Sequence, residues 1–273
     1  PPPPLLQPQD VKLDSFIGLV GSEMCIRDRL LTAQTEIAFV KGEIAKAIAL
    51  MTDVNEVAKA FMPPMFLLIA VENEQAAMLA LLGRIDEALA ITDEIAAQLQ
   101  APMDSYMNFT YAPIYDAAND RESYREIVQR TLQVQDQLPP VMQPFVAMQL
   151  AQVAIWDENF EAAILHLDRA SELLGQSLLQ MFQDNLSTSS LHVMLAELYL
   201  EANAMGEAQA RLDEILRVFP ASAYAKLVYA RIYLAQGNTE AARRALGEVM
   251  ELWSDADTDY ILAVDARSLV DSL

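Results

Sequence analysis

The sequence predicts an all-α fold, a right-handed solenoid of about six antiparallel helix pairs ending in a C-terminal capping helix. Three observations lead there. The chain is rich in Ala, Leu, Glu and Gln and holds only 8 Gly in 273 residues, a composition that favours helix. Turn-forming positions recur at 42, 83, 119, 158, 203 and 237, where Gly or Asn mostly sits between two apolar helical runs. Finally, the segment that begins at Ala196 is repeated from Ala230, a shift of 34 residues.

The first 29 residues stand outside this pattern. Leu19 to Asp28 back-translate as CTC GTG GGC TCG GAG ATG TGT ATA AGA GAC, and Gly18 and Arg29 extend the string. Residues 18–29 thus resemble a translated sequencing adapter. Residues 1–29, with the Pro-rich opening, are expected to be non-native and disordered. The native chain is expected to begin near Leu30 and to have lost its own N-terminus, and Cys25 is discounted as chemistry.

From Leu30 onward the repeats are expected near residues 30–60, 65–100, 103–138, 141–175, 187–220 and 221–254, with a cap over 258–273. The first carries Gly42 at its turn and Ala47 in the helix that follows; the second carries Gly83 and Ala88. The third turns at Asn119. The fourth, "AQVAIWDENFEAAILHLDRA", places Ala151, Phe160, Ala163, Leu167 and Ala170 in the same slots. Pro63-Pro64, Pro139-Pro140 and Pro220 fall between units, where a helix must stop. In the last two units Ala196 matches Ala230, Tyr199 matches Tyr233, Ala208 matches Ala242 and Leu212 matches Leu246. Small residues let paired helices approach, and large ones fill the space beside them. No pair can bury its apolar face alone, so neighbours must stack.

This pattern resembles the tetratricopeptide repeat, and the longer intervals of the N-terminal units make them looser copies. In that family the first helix of each pair lines a concave groove. Carried over by register, the resemblance implies groove positions Met148, Gln152, Ile155 and Trp156, then Val193, Glu197, Leu200 and Glu201, then Tyr224, Leu227, Arg231 and Leu234. Trp156 is either an anchor for a partner side chain or an inter-repeat packing residue. The Lys and Asn residues of the family's carboxylate clamp are absent, and mixed Glu and apolar positions suit a partly basic, amphipathic protein or peptide partner.

The chain carries 18 Lys and Arg against 39 Asp and Glu, a net charge of −21. Setting aside residues 1–29 removes three basic and four acidic residues and leaves −20. So acidic a surface repels nucleic acid. The longest apolar run, "FMPPMFLLIAV", has eleven residues and two prolines, short of the roughly 20 that span a bilayer. No phosphate-cradling glycine cluster occurs. His166 and His192 have no native Cys beside them and read as helix residues. "DADTD", at Asp255 to Asp259, starts like a calcium loop but has Tyr260 and Ala266 where Gly and Glu are needed, so it reads as a turn whose carboxylates cap helices. Asn108 and Asn185 begin glycosylation patterns that carry no weight without a secretory signal. No catalytic residue, metal or cofactor is expected, and a cytoplasmic, non-enzymatic binding scaffold is the reading these features favour. The tail "LWSDADTDYILAVDARSLVDSL" is also similar to the end of tetratricopeptide regions in bacterial signalling proteins, with Thr258 where a proline is usual. That resemblance implies an alternative: the regulatory C-terminal part of a truncated Ser/Thr kinase, nucleotide cyclase or winged-helix regulator.

Overall fold

The computed structural model describes residues 30–59, 72–101, 103–176 and 186–273. The adapter-like segment with Cys25, the Pro63-Pro64 pair and Asn185 lie outside these residues. Among the described residues there are thirteen α-helices and no strand. They are α1 (residues 30–40), α2 (Ile44–Ala58), α3 (Asn73–Leu81), α4 (Ile85–Gln98), α5 (Asn108–Ala117), α6 (Arg121–Val134) and α7 (Gln143–Trp156). The remainder are α8 (Phe160–Gln176), α9 (Leu186–Glu201), α10 (Met205–Val218), α11 (Ala223–Ala235), α12 (Thr239–Leu252) and α13 (Ile261–Asp271). Consecutive helices pair as α1–α2 through α11–α12, and each pair leans on the next, so the fold is an all-α solenoid of six pairs with α13 packed on α12.

One device makes every hairpin turn. Gly42, Gly83, Asn119, Glu158, Asn203 and Gly237 all have φ between 54° and 74°. At each, the residue's own N–H donates to the carbonyl three positions back, and the next N–H donates to the carbonyl five back of itself, as in Gly237 to Leu234 and Asn238 to Tyr233. This left-handed closure satisfies carbonyls that the end of a helix would otherwise strand. The following residue then opens the next helix. Asp120, Asn159 and Asn238 accept from the backbone N–H three residues on, which caps α6, α8 and α12.

Packing differs between the two helices of a pair. The first helix meets its partner, the neighbouring pair and the concave interior, so it is buried around its circumference: α7 buries Val146, Ala147, Met148, Ala151, Gln152 and Ala154. The second helix buries one stripe and presents the rest to water. In α12 that stripe is Ala241, Ala242, Leu246 and Val249. The small residues in matching slots (Ala76 and Ala88, Ala151 and Ala163, Ala196 and Ala208, Ala230 and Ala242) are all fully buried, which permits the close approach.

Neighbouring pairs are also joined by a recurring polar bond. Ten residues after a turn, the outer helix offers an acceptor, and a donor four or eight residues before the next turn reaches it. Gln75 bonds Thr52 (3.2 Å), Tyr111 bonds Asp93 (2.6 Å), Tyr199 bonds Asp168 (2.7 Å) and Tyr229 bonds Asp213. Burial, and then the bonded carboxylate, pushes the three phenols up, so each stays a neutral donor. Tyr199 and Tyr233, matched in sequence, diverge here: Tyr199 is buried and bonded to Asp168, while Tyr233 is half-buried against the ring of Tyr229 (5.6 Å).

The solenoid does not end in two separate faces. Its first hairpin docks on the loop between α12 and α13, and one apolar cluster joins Ala38, Ile44 and Ala47 to Val249, Trp253 and Tyr260. Trp253 Nε1 donates to the Val40 carbonyl (3.0 Å), and the Asp257 N–H donates to the Gly42 carbonyl (3.0 Å). The Asp257 carboxylate accepts from the Ala45 N–H at 2.7 Å, 212 residues away in sequence. Glu43 gives α2 no side-chain cap, so Asp257 fills that role. The acidic turn does cap a helix, as expected, but the helix is at the opposite end of the row. Gly42 faces this contact directly. A Cβ there would lie 2.7 Å from the Ala256 Cβ and 3.0 Å from the Tyr260 ring, whereas one at Gly83, with the same backbone sign, would meet nothing within 4 Å.

That contrast predicts the outcome of two substitutions. Gly83→Ala should cost only its backbone strain, about 1–2 kcal/mol. Gly42→Ala should lower the melting temperature further, and Ala256→Gly should recover part of the excess. Equal losses at Gly42 and Gly83, measured by thermal circular dichroism, would mean that the two ends do not meet.

Candidate functional site

The first helices of the pairs converge on a cavity of about 630 Å³ in the concave interior. Position sets the lining: the residue two before four of the six turns faces the cavity, which brings in Val40, Leu81, Ala117 and Glu201. One turn earlier come Pro113 and Glu197. Phe39, Met194 and Tyr224 supply apolar wall, and the clasp contributes Trp253 and Tyr260, so both ends of the row bound the same space. Trp253 and Tyr260 meet edge to face at 5.3 Å.

Three carboxylates reach this interior, in two different states. Glu197 is neutralised: it pairs with Arg231 and accepts from the Tyr224 hydroxyl. Arg231 also holds Asp265 at 2.9 Å, so it ties α9, α11 and α13 together. Asp116 and Glu201 have no ion-pair partner among the described residues. Both side chains are exposed to the cavity, whose protein walls displace part of the surrounding water. That partial desolvation raises the Asp116 carboxyl, against a smaller lowering by Arg121. It also raises Glu201, where the Gln152 amide bond at 3.5 Å opposes it and the Asp116 charge adds to it. The Asp116 charge acts on Glu201, so the two carboxylates make this part of the wall negative.

The twelve positions expected on the groove divide. Glu197, Glu201 and Tyr224 line the cavity, and Gln152 is bonded to Glu201. Arg231 stands behind the wall in its two ion pairs. Met148, Val193 (1% exposed) and Leu227 (0%) are core residues. Their side chains fill space between helices, so they offer a partner no surface. Ile155 and Leu200 are half-buried against the same core, and Leu234 is half-buried. Trp156 packs edge to face on Tyr124 of the preceding pair (4.8 Å), with the guanidinium groups of Arg121 and Arg125 at 5.2 and 5.9 Å from its ring centre. It is an inter-repeat residue with a cationic cover.

Sequence reasoning missed Asp116, Met194, Phe39, Trp253 and Tyr260. A signal for some of them was present. The register that selects Glu197 and Glu201 also selects Pro113 and Ala117 when counted from Asn119, and Asp116 is adjacent. His166 and His192 are not drawn into the cavity. His192 lies beside Arg211 and Glu214 in a second hollow of about 270 Å³, and burial lowers both imidazoles. Among the described residues no group of His, Cys, Asp and Glu is arranged to hold a metal ion, and no helix is long and apolar enough to cross a membrane.

Folding raises the proton affinity of Asp116 and Glu201, so their contribution to stability declines as pH rises through the raised values. Replacing them together by Asn and Gln should therefore raise the melting temperature at pH 7 and leave it nearly unchanged in acid, where both carboxyls are already protonated. A fall at pH 7 would mean that the two charges are compensated in the folded chain.

No curated protein matches the chain. Among solved structures, the chain is similar to the crystal structure of a tetratricopeptide repeat protein from Parabacteroides merdae ATCC 43184, with 16% identity, 89% of this chain and 83% of that chain covered, and a TM-score of 0.49. The family model that matches is described as tetratricopeptide repeat and spans residues 199–252, from the end of α9 through α12. The match to the tetratricopeptide repeat model thus covers the last two helix pairs in part.

Proposed function

We propose that the chain is a non-catalytic interaction scaffold that binds a basic, amphipathic protein segment on its concave face. The observation that carries this is the pairing of an apolar cavity wall with two unneutralised carboxylates, Asp116 and Glu201, on the helices that face inward. Desolvated charge is costly unless paired, and a Lys, Arg or amino group from a partner would pair it. The outer helices present solvated charges in short-range pairs, such as Arg84 with Glu87 and Arg244 with Glu240. Catalysis is disfavoured, because these exposed carboxylates have no His or Lys partner among the described residues and His166 and His192 lie elsewhere. The match of residues 199–252 to a repeat family of protein-binding modules agrees with this reading.

A peptide array tests it. Twelve-residue peptides that alternate Lys or Arg with large apolar residues should be retained, and acidic versions should not. The double variant Asp116→Asn, Glu201→Gln should lose about ten-fold in affinity. Leu165→Ala, on the outer face where Leu165 is 68% exposed, should change nothing. Retention should also weaken as pH is lowered through the raised carboxyl range. If the double variant retains the basic peptides unchanged, the concave face is not where they bind.

A further inference from the structure

The dimensions and closure of the cavity restrict what can occupy it, and the inference below rests on the concave-face reading just given. One turn of α-helix, with a 5.4 Å pitch and a diameter of 10–12 Å, takes up about 500 Å³. A cavity of about 630 Å³ is on the scale of a short segment of chain. Such a segment fills it, and a long helix would extend beyond it. Its wall is also joined from one end of the row to the other. Phe39 and Val40 from α1, and Trp253, Tyr260 and Ile261 from the other end of the chain, stand in the same wall and are bonded across the clasp by Trp253 and Val40. A segment that runs through must be threaded past a closed ring, whereas a chain end has only to enter. An isolated Lys side chain reaching in from outside would leave most of the volume empty.

The charge inside selects which end. A carboxyl terminus would face Asp116 and Glu201, like against like. Arg231, the one guanidinium on the wall's inner helices that could receive it, is already shared between Glu197 and Asp265. An amino terminus brings a compact ammonium with three donors to two carboxylates that have no ion-pair partner among the described residues, Arg121 acting on them only from a distance, and it carries its first side chains alongside. We propose that the cavity receives the amino-terminal end of a partner polypeptide, its ammonium held at Asp116 and Glu201 and its first apolar side chains against Phe39, Leu81 and Met194. The Gln152 amide, bonded to Glu201 at 3.5 Å, positions that carboxylate.

The probe is a mixture of tetrapeptide amides with Ala, Leu, Met or Phe at every position, prepared with a free amino terminus, with an acetylated one, and acetylated with a Lys at the third position. Binding to the full chain is followed by NMR at the Trp253 indole signal. The free-amino mixture should bind at least about ten-fold more tightly than the acetylated one. That preference should vanish in Asp116→Asn, Glu201→Gln and persist in Leu165→Ala. Equal binding of the acetylated mixture overturns the proposal. So does equal binding of the acetylated Lys mixture, which would transfer the recognition to a side-chain ammonium and leave the wider basic-segment reading standing. If no tetrapeptide binds while the basic 12-residue peptides do, the amino-terminal reading falls alone. If neither set binds, both fall. The acetylation comparison uses the unmodified chain, so it does not depend on any variant folding.

Discussion

A row of helix pairs has two ends, and each end exposes an apolar face with no neighbour to cover it. That constraint governs this molecule. Most of its interior follows from repeated hairpins covering one another, but the terminal hairpins must find cover elsewhere. Here α13 covers part of one end, and the two ends cover the rest for each other. The hydrophobic part of that contact is ordinary burial among Ala38, Ile44, Val249 and Trp253. Its direction comes from three polar bonds: the Trp253 indole to Val40, the Asp257 amide to Gly42, and the Asp257 carboxylate to the first turn of α2. Burial brings the surfaces together, and these bonds set their register.

The same closure shapes the chemistry inside. An open superhelix would leave its inward carboxylates facing bulk water, where a charge costs little and attracts little. Enclosed by both ends, Asp116 and Glu201 lose part of that water and shift upward. Glu197 sits on the same helix as Glu201, one turn away, yet it is neutralised by Arg231 and Tyr224. The wall thus distinguishes a structural carboxylate from two available ones. In a chain of net charge −21, many acidic residues lie on the outer helices, whereas this pair faces the cavity.

Local features of the fold were legible in the sequence, and distant ones were not. Each hairpin turn rests on a left-handed residue and two backbone bonds within five positions, so Gly42, Gly83, Asn119, Asn203 and Gly237 announce themselves by type, and Glu158 by its place in the register. The small-residue slots follow for the same reason. The inter-repeat bonds were half visible, since Tyr111, Tyr199 and Tyr229 stand out, but their Asp partners look like any other solvated acid until the neighbouring pair is placed. The clasp left no local trace: nothing near Asp257 says that it serves a helix more than 200 residues earlier. The site inherits both conditions. Glu197, Glu201 and Tyr224 came from the regular repeats, where register is reliable. Phe39 and Asp116 belong to looser units, and Trp253 and Tyr260 face the cavity only because the row closes. Val193 and Leu227 show the converse error, because counting along a helix that is buried all round does not separate its inner face from its sides.

The bond between Asp257 and Ala45 also has a consequence in time. Ribosomes add about 5–20 residues per second, so some 10–40 s separate the synthesis of the two partners. Through that interval α1 and α2 can form their turn, yet the surface that will receive Trp253 stays wet and α2 lacks its cap. The α1–α2 hairpin thus settles only after the loop that follows α12 has been made. A nascent chain halted anywhere before Trp253 would carry that surface exposed, available to a chaperone or to another unfinished copy.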